Sequence, residues 1–156
     1  KILNFPFMCV HTPADNMVTN FLYETIDREK PQTVADVLEM LQAIPEYRMA
    51  RKINAGPRIL AGKKENTAGK IYVDFTGGTS GATEMMQKLT DAGVSTIVCM
   101  HMGEKHLEAA KKAYLNVILA GHMSSDSIGL NLFLDQIEKN GVQIIPVSGV
   151  LRVKRN

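Results

Sequence analysis

The stretch VSTIVCMHMGEKHLEAAKKAYLNVILAGHMSSD, Val94 to Asp126, decides the fold. Its apolar runs predict strands over 94–100 and 117–120. Between them lies a helix over 104–114, and a second helix follows over 125–140. Gly141 then precedes an apolar run over 142–147 that reads as another strand. Upstream the same alternation continues. Residues 71–75 form a strand, Thr76-Gly77-Gly78-Thr79-Ser80-Gly81 a turn, and 82–92 a helix ended by Gly93. Residues 58–62 read as a short strand and 63–69 as a polar, hairpin-like turn.

The first third follows the same logic. Residues 5–11 read as a buried strand. Thr12 suits an N-cap and Pro13 the first helical position, so a helix runs over about 13–28. Its apolar residues Met17, Val18, Phe21, Leu22 and Ile26 keep helical spacing. Pro31-Gln32-Thr33 breaks the chain, and Thr33 caps a helix over 34–43. Pro45 opens a short basic helix through Arg48, Arg51 and Lys52 that ends near Asn54-Ala55-Gly56-Pro57. Such alternation predicts an α/β fold, a mixed or mostly parallel sheet with helices packed on its faces.

Composition bounds the function. The 156 residues suit one compact α/β domain over 1–156. With 45% hydrophobic and 22% charged residues the chain is an ordinary globular one. No apolar stretch is long enough to span a bilayer, and no signal peptide is visible. A net charge of +2 argues against nucleic acid as a partner, and Arg152-Val-Lys154-Arg155 reads as a solvated basic tail. Cys9 and Cys99 fall in apolar runs and read as buried free thiols in a reducing cytoplasm, although an even count leaves a disulfide open. Nine methionines without a tryptophan suggest an adaptable core, with Met85-Met86 as helix packing. The chain opens at Lys1 and reaches a strand and a candidate site within ten residues, as a chain lacking its first part would.

Ligands of α/β proteins collect at the carboxyl ends of strands. Four features fall there: His11 with Asp15, the Gly-rich turn, His101, and His122 with Asp126. Each His/Asp pair sets a carboxylate four residues after an imidazole, and both groups ligate Zn, Mn or Fe. The competing explanation is helix capping: Thr12 with Asp15 three residues on, and Ser124 with Asp126 answering the helix dipole. Gly121 lets the chain leave its strand sharply and admits close neighbours to His122. The turn Gly77, Gly78, Thr79, Ser80, Gly81 presents backbone N–H groups and a helix start to an anion, or is simply a tight turn. It is neither a P-loop nor a dinucleotide fingerprint. His101 is a second-tier ligand, His106 a surface or supporting histidine, and no serine has a histidine placed for nucleophilic attack.

With these residues in view, the chain resembles the Nif-three-like family (NGG-interacting factor three-like proteins, known also as type-two GTP cyclohydrolase I homologues). His11-Thr-Pro-Ala-Asp15 with Asn20 resembles its H-T-x-x-D segment, and Phe75-Thr-Gly-Gly-Thr-Ser-Gly81 its Gly-Gly-Ser-Gly turn. Gly103-Glu-Lys-His106 with Ala109-Ala110 resembles its G-[DE]-x-x-x-H-x-x-A stretch, one residue shorter. Ala120-Gly121-His122-Met-Ser-Ser-Asp126 resembles its closing A-G-H-x-x-[ST]-E motif.

The resemblance implies an α/β protein with a dinuclear metal centre, often in toroidal hexamers. It implies that Asp15 ligates one metal, that His122 ligates the other, and that Asp126 stands where the family bridges with glutamate. His11 would be a close neighbour. The family's His-His pair, which precedes the H-T-x-x-D segment, is not in this sequence, which fits the C-terminal part of a longer family member. Asp126 is also one methylene shorter than glutamate.

The expectation is therefore a divalent-metal-binding protein carrying one or two ions of Zn, Mn, Fe or Ni. It would be a metal-dependent hydrolase of a nucleotide-like or phosphorylated small molecule, cytoplasmic and homo-oligomeric. The alternatives are a metal-binding scaffold or regulatory adaptor without turnover, and a metal-free anion-binding module built on the Gly turn.

Overall fold

A computed structural model describes residues 6–75, 81–147 and 150–155. Three helices come first: α1 His11–Glu29, α2 Val34–Ala43 and α3 Pro45–Arg51. The sheet then alternates with helices as β1 Arg58–Ala61, β2 Lys70–Asp74, α4 Met85–Asp91, β3 Val94–Cys99, α5 Glu104–Lys112, β4 Asn116–Leu119 and α6 His122–Lys139. Strand order is β1-β4-β3-β2. β2, β3 and β4 are parallel, and β1 pairs antiparallel with β4. The sheet is thus mixed, with its parallel strands joined through α4 and α5.

Each face of the sheet buries its own layer. Val98 and Met100 face one side with Ile118 of β4, against Val18 and Leu22 of α1, Val37 and Leu41 of α2, and Ile128 of α6. Ile97 and Cys99 face the other side with Val117, against Met86 of α4 and Ala110 of α5. Period-two alternation within β3 therefore divides the core into two sheets of contact. Each fully buried leucine or isoleucine stabilises the fold by about 2 kcal/mol. Thr33 caps α2 through a complete capping box: its hydroxyl accepts from the Asp36 N–H at 3.2 Å, and the Asp36 carboxylate accepts from the Thr33 N–H at 2.9 Å.

Two expected strands are not formed. Residues 6–10 carry no strand, and Phe7 is 89% exposed. Residues 142–147 are also without one, with Ile145 71% exposed. Both runs are apolar enough, but a strand needs a ladder partner, and neither pairs with the sheet edges that β1 and β2 provide. Cys9 is consequently exposed rather than buried. Cys99 is buried as expected, and burial, with Asp74 adding to it, pushes its thiol up to about 12.

The basic end is not a solvated tail. Arg152 pairs with Asp135 and with Glu138 of α6 at 2.6 Å, and Arg155 reaches Glu46 of α3 at 2.5 Å. The Arg155 guanidinium also lies over the Phe21 ring, 5.3 Å from its centroid. Asn131 donates to Glu46 and to the Leu151 carbonyl, both at 2.9 Å. Buried acids on two helices captured these cations, a partner that the local sequence around residues 152–155 does not reveal. Among the described residues no helix is long and apolar enough to cross a membrane.

Candidate metal site

The site is assembled by two helix starts. β4 ends at Leu119, and the Ala120 N–H still bonds the Cys99 carbonyl at 2.8 Å. Gly121 then turns the chain at φ +102°, a conformation that side chains rarely adopt. A Cβ there would sit 3.0 Å from the Ala55 carbonyl oxygen. α6 begins at once with His122, and Asp126 follows one turn later on the same face. His11 likewise begins α1, with Asp15 one turn on.

Packing brings the two starts together. Gly129 of α6 faces Ala14 of α1 so closely that a Cβ on Gly129 would lie 2.2 Å from the Ala14 carbonyl oxygen. Ala14 and Gly129 stand within one turn of Asp15 and Asp126, so this approach sets the spacing of the pairs. Ligating atoms of His11, His122 and Asp126 lie within 4.8 Å of one another. The Nδ1 of His11 is 3.3 Å from the Asp15 carboxylate, and Nε2 of His122 is 3.7 Å from that of Asp126. A cleft of about 340 Å³ borders the cluster, lined by Val10, His11, Asp15, Met123 and Asp126 among others.

Neither capping explanation is realised. The N-cap of α1 is Val10 and that of α6 is Gly121, and neither makes a side-chain cap bond. The hydroxyls of Ser124 and Ser125 instead donate back to the Gly121 carbonyl, at 3.2 and 2.6 Å. Ser125 also shares a buried 2.8 Å hydrogen bond with the Tyr47 hydroxyl, tying the start of α6 to α3.

Electrostatics favour a cation here. Burial raises the Asp126 carboxyl above its ordinary range; His122 pulls it back, Asp15 pushes it further up, and His11 again opposes. One Asp126 oxygen, Oδ1, is buried and has no hydrogen-bond partner among the described residues. Two imidazoles and a carboxylate with an unsatisfied buried oxygen form a donor set that fits a divalent ion of the Zn, Mn, Fe or Ni type.

Two of the other expected residues, Asp15 and His101, touch this trio without belonging to it. Asp15 is buried at the 3.3 Å contact with His11 and lines the same cleft. His101 is stacked on His122, with ring centroids 5.3 Å apart and planes 12° from parallel. His106 lies farther along the rim, where its Nε2 is 2.7 Å from the Gly81 carbonyl oxygen. Gly77, Gly78, Thr79 and Ser80 lie outside the described residues. One rim residue escaped the sequence reading. Arg58 opens β1 and stands opposite Leu119, the last residue of β4. Because β1 is antiparallel to β4, its first residue, not its last, reaches the rim.

The fold and cluster define an α/β protein with a His/Asp group at the carboxyl ends of its parallel strands. Comparison of structures then narrows the class. The chain is similar to a NIF3 superfamily protein from Sphaerobacter thermophilus, with a TM-score of 0.79 and 27% identity over 95% of this chain and 55% of that one. A Bacillus cereus protein related to NIF3 aligns at a TM-score of 0.45 and 16% identity, over 78% of this chain and 32% of that one. No protein-family profile matches the sequence, and no curated protein does. The Sphaerobacter likeness supports a NIF3-like assignment for this fold. It spans little more than half the length of that relative.

Proposed function

We propose that this chain binds a divalent metal ion through His11, His122 and Asp126 and serves a metal-dependent hydrolase of a nucleotide-like or phosphorylated small molecule. The observation that carries the reading is the trio of ligating atoms within 4.8 Å, one of them on a carboxylate whose second oxygen is buried without a partner. A bound ion would supply Lewis acidity and an acidified water. The protein's own groups do the rest. Asp15 orients the His11 ring through Nδ1. His101 holds the plane of His122 by stacking. Met123 and Val10 line the adjoining cleft with apolar surface that limits water around the reacting groups. Zn, Mn, Fe and Ni all suit nitrogen and oxygen donors, and one or two ions are compatible with Asp15 beside the trio.

The test begins with untagged protein. Metal per chain is measured for wild type, His122→Ala and Asp126→Asn. Near-stoichiometric metal in wild type and a loss in both variants is expected; sub-stoichiometric metal in all three overturns the reading. Hydrolysis of a nucleotide panel then separates enzyme from scaffold. Metal-dependent turnover that falls at least a hundredfold in Asp126→Asn supports the enzyme, whereas bound metal with equal rates in both proteins supports a scaffold.

A further inference from the structure

A second cleft, of about 420 Å³, is lined by His122 itself and shares Met123 with the first. Its walls include His101, His122, Gly121, Ile53, Met123 and Arg58. The sheet explains this meeting. β1 runs against β4, so Arg58 is delivered to the same rim from which Gly121 and His122 leave.

Arg58 lines this cleft, and the stretch leading to it is one-sided in charge. Arg48, Arg51, Lys52 and Arg58 come within eleven residues, and no acidic residue occurs between Glu46 and Glu65. Arg51 is engaged by Gln42 at 3.3 Å. Arg58 is exposed and forms no ion pair with any described residue, in contrast to Arg152 and Arg155. A guanidinium is a planar fork suited to phosphate, and an unpaired one in a cleft raises the local concentration of anions. Beside it, Ile53 and Met123 are 76% and 79% exposed, apolar groups that a flat ligand would cover.

We propose that this cleft is the substrate's anion-binding subsite: Arg58 grips a phosphate group, Ile53 and Met123 hold the apolar or heterocyclic body, and the far side of the ligand meets His122. The inference rests on the proposed function for its substrate class, a phosphorylated small molecule. It assigns the phosphate to Arg58 rather than to the Gly-rich turn.

The experiment is calorimetric titration with AMP, adenosine and inorganic phosphate, each with added Zn²⁺ or Mn²⁺ and again after chelation. Wild type is compared with Arg58→Glu, Arg58→Lys and Lys52→Glu; Lys52 adjoins the cleft but does not line it. Wild type should bind AMP at least tenfold more tightly than adenosine. Arg58→Glu should lose that preference, Arg58→Lys should keep part of it, and Lys52→Glu should change affinity less than threefold. Tm and metal content should be unchanged in all variants, because these side chains are exposed. Equal AMP affinity in wild type and Arg58→Glu overturns the subsite, as does an equal loss in Lys52→Glu or no binding of AMP and phosphate by wild type at millimolar concentration. Wild type that holds no added Zn²⁺ or Mn²⁺ yet binds AMP through Arg58 overturns the metal reading and leaves the subsite standing. Stoichiometric metal with AMP binding indifferent to Arg58 does the reverse.

Discussion

The imidazole of His101 lies flat on that of His122, 5.3 Å between centroids and 12° from parallel. His101 follows β3 by two residues and His122 opens α6, so the stack couples two separate rim segments. Its role is separable from ligation, because a phenyl ring stacks but cannot bind metal. Aromatic pairs contribute about 0.5–1.5 kcal/mol beyond buried area. His101→Phe should therefore hold metal within about twofold of wild type, and His101→Ala should bind roughly three- to tenfold more weakly. Competition for metal with a chromogenic chelator measures both. Equal weakening in the two variants would instead make His101 a ligand.

Gly129 should resist substitution. Alanine at a helix interior normally stabilises relative to glycine by about 1 kcal/mol. Here its Cβ would meet the Ala14 carbonyl oxygen at 2.2 Å, a backbone atom that cannot turn aside. Overpacking of this kind costs about 1–3 kcal/mol or more. Gly129→Ala should lower Tm by about 3–6 °C. Metal affinity should fall with it, because His11 moves away from His122 as α1 is pushed off α6. Thermal scans and a metal titration check the two effects together.

Arg155→Ala should be more damaging than its position suggests. It strips the cation from Glu46, whose side chain is fully buried, and breaking one half of such a pair costs about 3–5 kcal/mol. The partial exposure of Arg155 puts the expected loss near the lower end, about 3 kcal/mol. The double variant Arg155→Ala with Glu46→Gln should recover more than half of it, because the neutral amide can still take the Asn131 hydrogen bond. Urea unfolding of the four proteins closes the cycle. Additive losses would show that the two residues do not act as a pair.

The pH response of Asp126 has a definite sign. Its folded carboxyl titrates above 3.8, with burial the main cause. Between 3.8 and that raised value the folded chain holds a proton that the unfolded chain has lost. The group's stabilising contribution is thus complete below 3.8 and is lost as pH rises through the folded value. Metal-free Asp126→Asn should match wild type at pH 4 and exceed it at pH 7 by about 1–3 °C in Tm, modest because solvent reaches the carboxyl. Saturating metal should reverse the order, since binding stabilises only the protein that holds the ion. Scanning calorimetry at both pH values, with and without metal, reads all four comparisons.

The legible parts of the fold were those specified locally. The α2 helix formed over 34–43 as expected because Thr33 and Asp36 satisfy each other's backbone within four residues. The strands at 94–99 and 116–119 were legible because helices cover both of their faces, leaving continuous apolar runs. The failures all needed a distant partner. Phe7 to Val10 has the composition of a strand but no ladder to join. Arg152 and Arg155 look solvated until Asp135 and Glu46 are brought to them. Arg58 reached the rim only through the reversal of β1. In the candidate site, His11, His122 and Asp126 were visible as residue types and spacings. Their convergence depended on the contact of Ala14 with Gly129, and the capping explanation fell because the helices begin at His11 and His122, ahead of Thr12 and Ser124.

Glu46 and Arg155 are 109 residues apart in the chain. During synthesis α3, the sheet and most of α6 emerge while Glu46 still lacks its cation. A carboxylate cannot be sealed in an apolar interior alone without a large penalty, so full seating of α3 requires Arg155 in place. Arrival of Arg152 and Arg155 then locks α3 against α6 and, through Tyr47 and Ser125, fixes the helix start that carries His122. Closure of the site thus waits on a pairing between residues 109 positions apart in the chain.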